Sequence, residues 1–294
     1  MIIANPIYDL AFKRLMESER VAKFFIGTLL GQTIEAVTTA PQEFSHYNKD
    51  ERLAVFRLDF VATILTASGE HKKVLIEMQK AKELTDLMRF RGYLGEQYKK
   101  ADMVNDRREV LPITSIYVLG FNLPEIDSAC IKIGREYTDM ITQQTIAERS
   151  RFIECLTHDS YVVQTRRISQ RYQTQLDKLM SVFAQENFTD DKEVTKQYTH
   201  ETDDVDIKAI VDILHHVGTD PAERKELDNE IEWRRTYEEW FGDRDRQIIE
   251  KDKKIEEKEQ ALAAEKEKKA AALAAKDAAL ARIAELEKQL LSKQ

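Results

Sequence analysis

The spacing of apolar positions changes period several times along the chain, and each change marks an element. From Tyr8 to Leu30 the apolar residues Leu10, Ala11, Leu15, Val21, Phe24, Phe25 and Leu29 fall at helical intervals, and Gly31 follows as a C-cap, which predicts a first helix. Ile34 to Tyr47 is β-like. Leu53 to Leu65, LAVFRLDFVATIL, is a long apolar run rich in β-branched and aromatic residues. The pair Ser68-Gly69 then makes a turn, and Lys73 to Met78 supplies the hairpin partner. Leu84 to Met103 returns to helical spacing. After Pro112, ITSIYVLGF is a continuous apolar strand buried on both faces, and Ile131 to Met140 extends a sheet edge. The order α-β-β-β-α-β predicts a mixed α/β domain over residues 1–145.

Beyond Glu148 the pattern reads as helical, with Arg166, Arg167 and Arg171 near Tyr161 and Tyr172. Glu186 to Asp206 is polar and acidic, as a linker or surface loop would be. Ile207 to His216 predicts a short amphipathic helix broken by Gly218 and Pro221, so residues 146–221 read as a helical extension and polar linker. Residues 222–294 contain no proline and a single glycine, Gly242, and their Ala, Lys and Glu content predicts one long helix. Ile248, Ile255 and Leu262 recur every seven residues, as do Leu273 and Leu280, with an eleven-residue step between the sets. That spacing suits a coiled coil with a phase shift, and hence a homo-oligomer. The alternative is a solitary solvated helix held by Glu–Lys pairs.

Composition narrows this picture in three places. With 294 residues, 42% of them apolar, the chain can bury a core and carry an accessory region. The net charge of −8 resides mostly in residues 201–294, so it says little about what the N-terminal domain binds. No apolar run approaches the roughly 18 residues of a membrane helix. MIIANPIYDLAFKRL lacks a basic leader with an apolar segment and cleavage site, and Cys130 and Cys155 show neither metal-ligand spacing nor a disulfide framework. The expectation is a cytoplasmic protein with reduced thiols and no membrane partner.

Candidate chemistry lies where strands carry charge. In LAVFRLDFVATIL, Ala54, Phe56, Leu58, Phe60, Ala62 and Ile64 make an apolar face, whereas the other face places Arg57 and Asp59 among apolar neighbours. In VLIEMQKA, Val74 to Ala81, Glu77 and Gln79 point away from Val74, Ile76 and Met78. A carboxylate in such a place costs several kcal/mol unless it is paired, protonated or bound to a metal. If the two runs pair through the Ser68-Gly69 turn, Asp59 and Glu77 become neighbours across the ladder on a shared face. A divalent cation would resolve their repulsion, and oxygen ligands suit magnesium, manganese or calcium rather than zinc. The alternative is that Arg57 pairs with one carboxylate while Glu77 caps the edge of a partly exposed sheet.

The arrangement of Asp59, a hairpin and Glu77-Met78-Gln79 resembles the PD-(D/E)XK nuclease superfamily, and within it the recombination-promoting nuclease or putative transposase branch. Asp9-Leu10-Ala11-Phe12-Lys13 is similar to that branch's opening Asp-Pro-x-Phe-Lys motif, and Arg89, Tyr93 and Tyr98 match its Arg-(x3)-Tyr-(x4)-Tyr pattern. The strand from Ile113 to Leu123 is similar to its closing core strand. The resemblance covers about residues 5–140. It implies a restriction-endonuclease-like mixed sheet and a metal-dependent DNA endonuclease of low sequence specificity, linked to recombination or mobile elements.

Under that resemblance, Asp59 and Glu77 hold the metal, with Asp9 as a further ligand or else a helix N-cap, and Gln79 positions the attacking water. Two departures stand out: Arg57-Leu58 precedes Asp59 where a proline is usual, and Gln79 stands where lysine is usual. Lys13 is then a candidate for the lysine's role, while Lys80 alternates to the other face of its strand. Lys80, Lys82, Arg89 and Arg91, with Tyr93 and Tyr98, are the candidate DNA contacts; the alternative is a solvated charged face. No Gly-rich phosphate loop, GxSxG or Cys–His arrangement points to another enzyme class. The rival expectation is a catalytically inactive, nuclease-like scaffold that works through its coiled coil, and action on RNA is a further alternative.

Overall fold

The computed structural model describes residues 1–39, 60–79 and 84–232. Arg57, Asp59, Lys80, Lys82 and the long C-terminal helix expected beyond residue 232 lie outside the described residues. The chain divides into two units, and every described residue belongs to the first, Met1–Glu232.

In chain order the elements begin with β1 (Ile2–Ala4), α1 (Asp9–Glu17), α2 (Glu19–Leu30), β2 (Ile34–Thr39), β3 (Phe60–Thr66), β4 (His71–Gln79) and α3 (Leu84–Tyr98). They continue with β5 (Asp102–Val104), β6 (Arg107–Glu109), β7 (Ile113–Leu119), β8 (Cys130–Ile133), β9 (Tyr137–Thr138) and β10 (Thr145–Ile146). The last are α4 (Arg151–Leu156), β11 (His158–Gln164), α5 (Gln175–Phe183), β12 (Thr195–Gln197) and α6 (Val205–Thr219), with a 3-10 turn at Thr165–Arg167. The fold is mixed α/β, built on a six-stranded sheet of order β2-β3-β4-β7-β11-β8. β4, β7 and β11 run parallel, while β2, β3 and β8 pair antiparallel with their neighbours.

Local chemistry explains the boundaries. Ser18 is extended, and its side chain accepts a hydrogen bond from the Val21 amide, so the expected single helix of Tyr8–Leu30 divides into α1 and α2. Gly31 adopts the left-handed conformation (φ 63°) and ends α2, as its position predicts. The β3–β4 hairpin turns at Gly69, whose φ is +79°, and Thr66 exchanges backbone hydrogen bonds with Gly69 and Glu70. α3 stops at Tyr98 instead of reaching Met103. The chain then turns back through Asn105 and Asp106, both with positive φ, to pair β5 with β6.

The largest departure from expectation is β11. Residues 158–164 lie in the stretch expected to be helical, yet they form a strand pairing with β7 on one side and β8 on the other. Cross-strand pairing with an apolar neighbour overrides a local pattern that contains His158, Asp159 and Ser160. The acidic stretch 186–206 likewise contains a strand, β12, which pairs with β1. α6 runs through Gly218 and ends at Thr219. Among the described residues no helix is long and apolar enough to cross a membrane.

The sheet has two unequal covers. Ile76, Met78, Ile116, Val118 and Val163 face a large core with α1, α2, α5 and α6, where the Phe12 ring meets Phe25 edge-on and Phe25 meets Phe183 at a tilt, with centroids 5.6 and 5.4 Å apart. Val61, Leu75 and Ile113 face the other way, against Phe90 and Leu94 of α3.

Two positions give stability tests. A Cβ on Gly218 would stand 2.7 Å from the Ala4 amide nitrogen, where α6 crosses β1. Gly218→Ala therefore loses about 1–3 kcal/mol to overpacking, against a gain of about 1 from helix propensity, and thermal denaturation should show a net loss. Lys196 is buried, its ammonium donating to the Val182 and Ala184 carbonyls, and burial lowers its pKa to about 8. Unfolding restores the ordinary value, so the unfolded chain binds the extra proton between those two pH values and stability rises through that window. The gain is of order 3 kcal/mol at most. Denaturant titrations from pH 8 to 10.5 should show a rise in the wild type that Lys196→Met flattens.

Candidate functional site

β4 carries the chemistry because it is the strand where the antiparallel and parallel halves of the sheet meet. Alternation sends Lys73, Leu75, Glu77 and Gln79 to the side covered by α3, while Val74, Ile76 and Met78 enter the larger core. Parallel register with β7 sets Leu75 beside Ser115, Glu77 beside Tyr117, and Gln79 beside Leu119. Glu77 is only 2% exposed. The expectation that Glu77 and Gln79 share one side of a buried strand agrees with this placement, whereas an edge-capping role for Glu77 does not, since β4 is an interior strand.

α3 supplies a cation that faces Glu77. Arg89 Nη2 lies 3.4 Å from Glu77 Oε1, a long ion pair whose arginine is about one-third exposed. One residue on, the Phe90 ring packs 4.3 Å from the Tyr117 ring. Burial pushes the Tyr117 phenol well above its ordinary value, and the Glu77 charge adds to the shift. Gln79 is half-buried, and its carbonyl accepts from the Gly120 amide at 2.8 Å, one rung past the β7 strand. A polar layer continues back along the same side. Lys73 Nζ lies 2.8 Å from Asp102 Oδ2 and 3.3 Å from Gln97 Oε1, Ser115 meets Ser160 at 2.8 Å, and Tyr98 OH meets His158 Nδ1 at 2.8 Å. Burial, with Arg135 nearby, lowers the His158 pKa, and burial raises that of Tyr98. The neutral imidazole is therefore the favoured partner of the phenol.

The structure gathers some predicted site residues and separates others. Glu77, Gln79, Arg89 and Tyr93 belong to one side of the sheet. Tyr93 and Tyr98 pack on the smaller core rather than standing out as base-stacking groups. Arg91 is exposed on α3. Lys13 is exposed on α1, whose buried residues join the larger core across the sheet, so it is not brought to Glu77. Asp9 lies in the first turn of that helix and is exposed, not at its N-cap, which is Tyr8. The Glu230 carboxylate takes the capping function instead, accepting from the Asp9 and Leu10 amides at 3.1 and 3.0 Å.

Two neighbours escaped the sequence reading. Tyr117 sits in an apolar run and carries no local sign of facing Glu77. Arg166 donates from Nε to the Gly120 carbonyl at 2.7 Å, next to the Gln79 rung, and pairs with Glu193 at 2.7 Å. Its placement depends on β11, which the periodicity did not reveal. Among the described residues, no group of three His, Cys, Asp or Glu side chains is arranged to hold a metal ion. A groove of about 410 Å³ opens at the far end of β4, beside Gly69, His71, Pro112 and Arg149, away from Glu77.

Comparison with known proteins adds no relative: no family model matches the chain, and no curated protein or solved structure matches it. The chemistry therefore rests on the residues themselves. A carboxylate sealed beneath a helix at the carboxyl end of a central strand calls for a positive partner, and Arg89 is one that the structure places against it.

A double-mutant cycle measures that pair. Arg89→Met leaves a buried carboxylate facing an apolar side chain and should cost about 3 kcal/mol in chemical denaturation. Adding Glu77→Gln should recover most of the loss, with a coupling of about 1–3 kcal/mol.

Proposed function

We propose that this chain is a metal-dependent endonuclease acting on DNA, of the PD-(D/E)XK type that its motifs resemble. The observation that carries the reading is the nearly complete burial of Glu77 on β4, with Gln79 two residues further along the same side. The order α2, β2, β3, β4, α3, β7, with the β5–β6 hairpin inserted before β7, supports it, being compatible with the α-β-β-β-α-β order that the resemblance calls for. Asp59 enters by connectivity: it precedes Phe60, the partner of Ile76, and Ile76 precedes Glu77.

The described donor set is one buried carboxylate with an amide on the same strand face, oxygen chemistry that fits magnesium or manganese. A bound ion would lower the pKa of a water and offset charge on the phosphate. Glu77 and Asp59 hold that position, and Gln79 orients the nucleophile. Lys13 lies across the sheet, which leaves the usual lysine's role to Gln79. Arg89 neutralises Glu77 in the metal-free protein and turns to the phosphate backbone when DNA is bound. Lys80, Lys82 and Arg91 extend the contact along that backbone, consistent with weak sequence preference. The chain assembles through its C-terminal helix, and a link to recombination or mobile elements follows from the resemblance alone.

A second reading has one specific observation in its favour. The Glu77–Arg89 pair already satisfies part of the carboxylate without a metal. A non-catalytic scaffold, with the C-terminal helix as its working part, would use the pair purely to dock α3.

Plasmid cleavage by the full-length protein separates the two. Wild type, Asp59→Ala and Glu77→Gln are incubated with magnesium, manganese, calcium or EDTA, with a structured RNA in parallel. The expected result is metal-dependent nicking or linearisation of DNA that falls roughly 100-fold or more in either variant. DNA binding without cutting under every metal establishes the scaffold, RNA cleavage alone moves the substrate class, and neither binding nor cutting ends the nuclease reading.

A further inference from the structure

The sheet edge at β8, with the neighbouring β9–β10 hairpin and α4, exposes large apolar side chains on a hydrogen-bonded frame. Ile133 is 55% exposed, Ile141 93%, Phe152 74% and Leu156 62%. Soluble chains rarely present so many large apolar side chains together without a partner. The frame is tightly built. Arg135, directly after β8, pairs with Glu154 at 2.6 Å and Asp159 at 3.0 Å, joining the strand to α4 and β11. Tyr137 donates to Glu154 at 2.6 Å, which fastens the β9–β10 hairpin to α4, and the Cys155 thiol reaches the Val110 carbonyl.

The hairpin tip is equally fixed. Asp139 accepts from the Ile141 and Thr142 amides at 2.8 and 3.3 Å, and its backbone exchanges hydrogen bonds with Gln143 and Gln144. Those amides hold the Asp139 carboxyl below its ordinary pKa, so the turn keeps its anionic cap at neutral pH. Ile141 is thus held out into solvent by a constructed turn.

We propose that this face docks a second copy of the same chain. Two observations select that occupant. First, β8 is the outermost strand of the sheet and, among the described residues, pairs on one side only, with β11. An open strand edge can pair antiparallel with its own copy about a two-fold axis, and burying it removes an aggregation hazard. Second, the segments that carry the apolar residues bear charges of both signs, Lys132, Arg149 and Arg151 with Glu109, Glu136 and Glu148, and Arg151 pairs with Glu109. A two-fold axis brings a surface against itself, so a single-sign rim would repel, whereas a mixed one is self-complementary. The surface lies on the first unit of the chain, Met1–Glu232.

The test uses full-length protein carrying a photo-activated phenylalanine analogue at Ile141, prepared as an equal mixture of ordinary and 15N-labelled chains. After irradiation, cross-linked peptides are mapped by mass spectrometry. Mixed-isotope pairs that join position 141 to peptides containing residues 133, 152 or 156 establish the interface. Adding Phe152→Asp should then cut their yield roughly tenfold, with circular dichroism and melting temperature unchanged, because the position is exposed. Single-isotope pairs only, including any to residues 40–59 or 233–294, would overturn the proposal by showing that the chain covers this face itself. Absence of any cross-link from position 141 overturns it as well. The readout is independent of nuclease activity.

Discussion

Parallel pairing between β4 and β7 is the constraint from which the rest follows. Seven consecutive registers, Lys73↔Ile113 to Gln79↔Leu119, seal β4 between β3 and β7 and leave both its faces to be covered. Parallel neighbours cannot be joined by a tight turn, so the chain crosses over the sheet, and α3 is that crossover. The crossover covers only one side. The opposite side needs the four helices α1, α2, α5 and α6. Every side chain on β4 from Val74 to Met78 is therefore buried, whatever its chemistry. Glu77 is buried because of where its strand lies, and the helix that buries it also supplies Arg89.

The unequal covers sort chemistry between the two faces. The larger core is closed by aromatic and aliphatic contacts such as Phe12–Phe25–Phe183. Among the described residues the smaller one has α3 as its helix, with polar pairs beside it: Lys73 with Asp102, Ser115 with Ser160, Tyr98 with His158, Glu77 with Arg89. Lys73, Glu77 and Ser115 are nearly fully buried there, and their partners are what offset the cost of that burial. The candidate site lies on this side.

How much of this was legible in the sequence depended on how local the determining contacts are. The β3–β4 hairpin was legible because Ser68-Gly69 supplies the turn and a positive φ, and β7 because an unbroken apolar run has few other homes. α2 announced its end at Gly31, but the Ser18 break between α1 and α2 was hidden inside a continuous apolar periodicity. β11 was not legible: His158, Asp159 and Ser160 spoil its pattern, and its strand character comes from β7, some 45 residues away. β12 depends on β1 at the other end of the chain. The site divided the same way. Glu77 and Gln79 could be placed on one side by alternation alone. Whether Lys13 and Asp9 joined them depended on which face α1 covers, and short-range periodicity does not encode that choice.

The carboxylate itself supplies the last step. A buried Glu–Arg pair seldom adds net stability compared with apolar residues of similar shape, since both charges lose their water. At 3.4 Å, with Arg89 about one-third exposed, the Glu77–Arg89 contact is long for a charge-assisted hydrogen bond. An apolar side chain at position 77, flanked by Leu75, Phe90 and Tyr117, would pack the same space without a desolvated charge. The cost of that buried charge at the carboxyl end of a central strand is the physical ground for the proposal that Glu77 serves chemistry rather than packing.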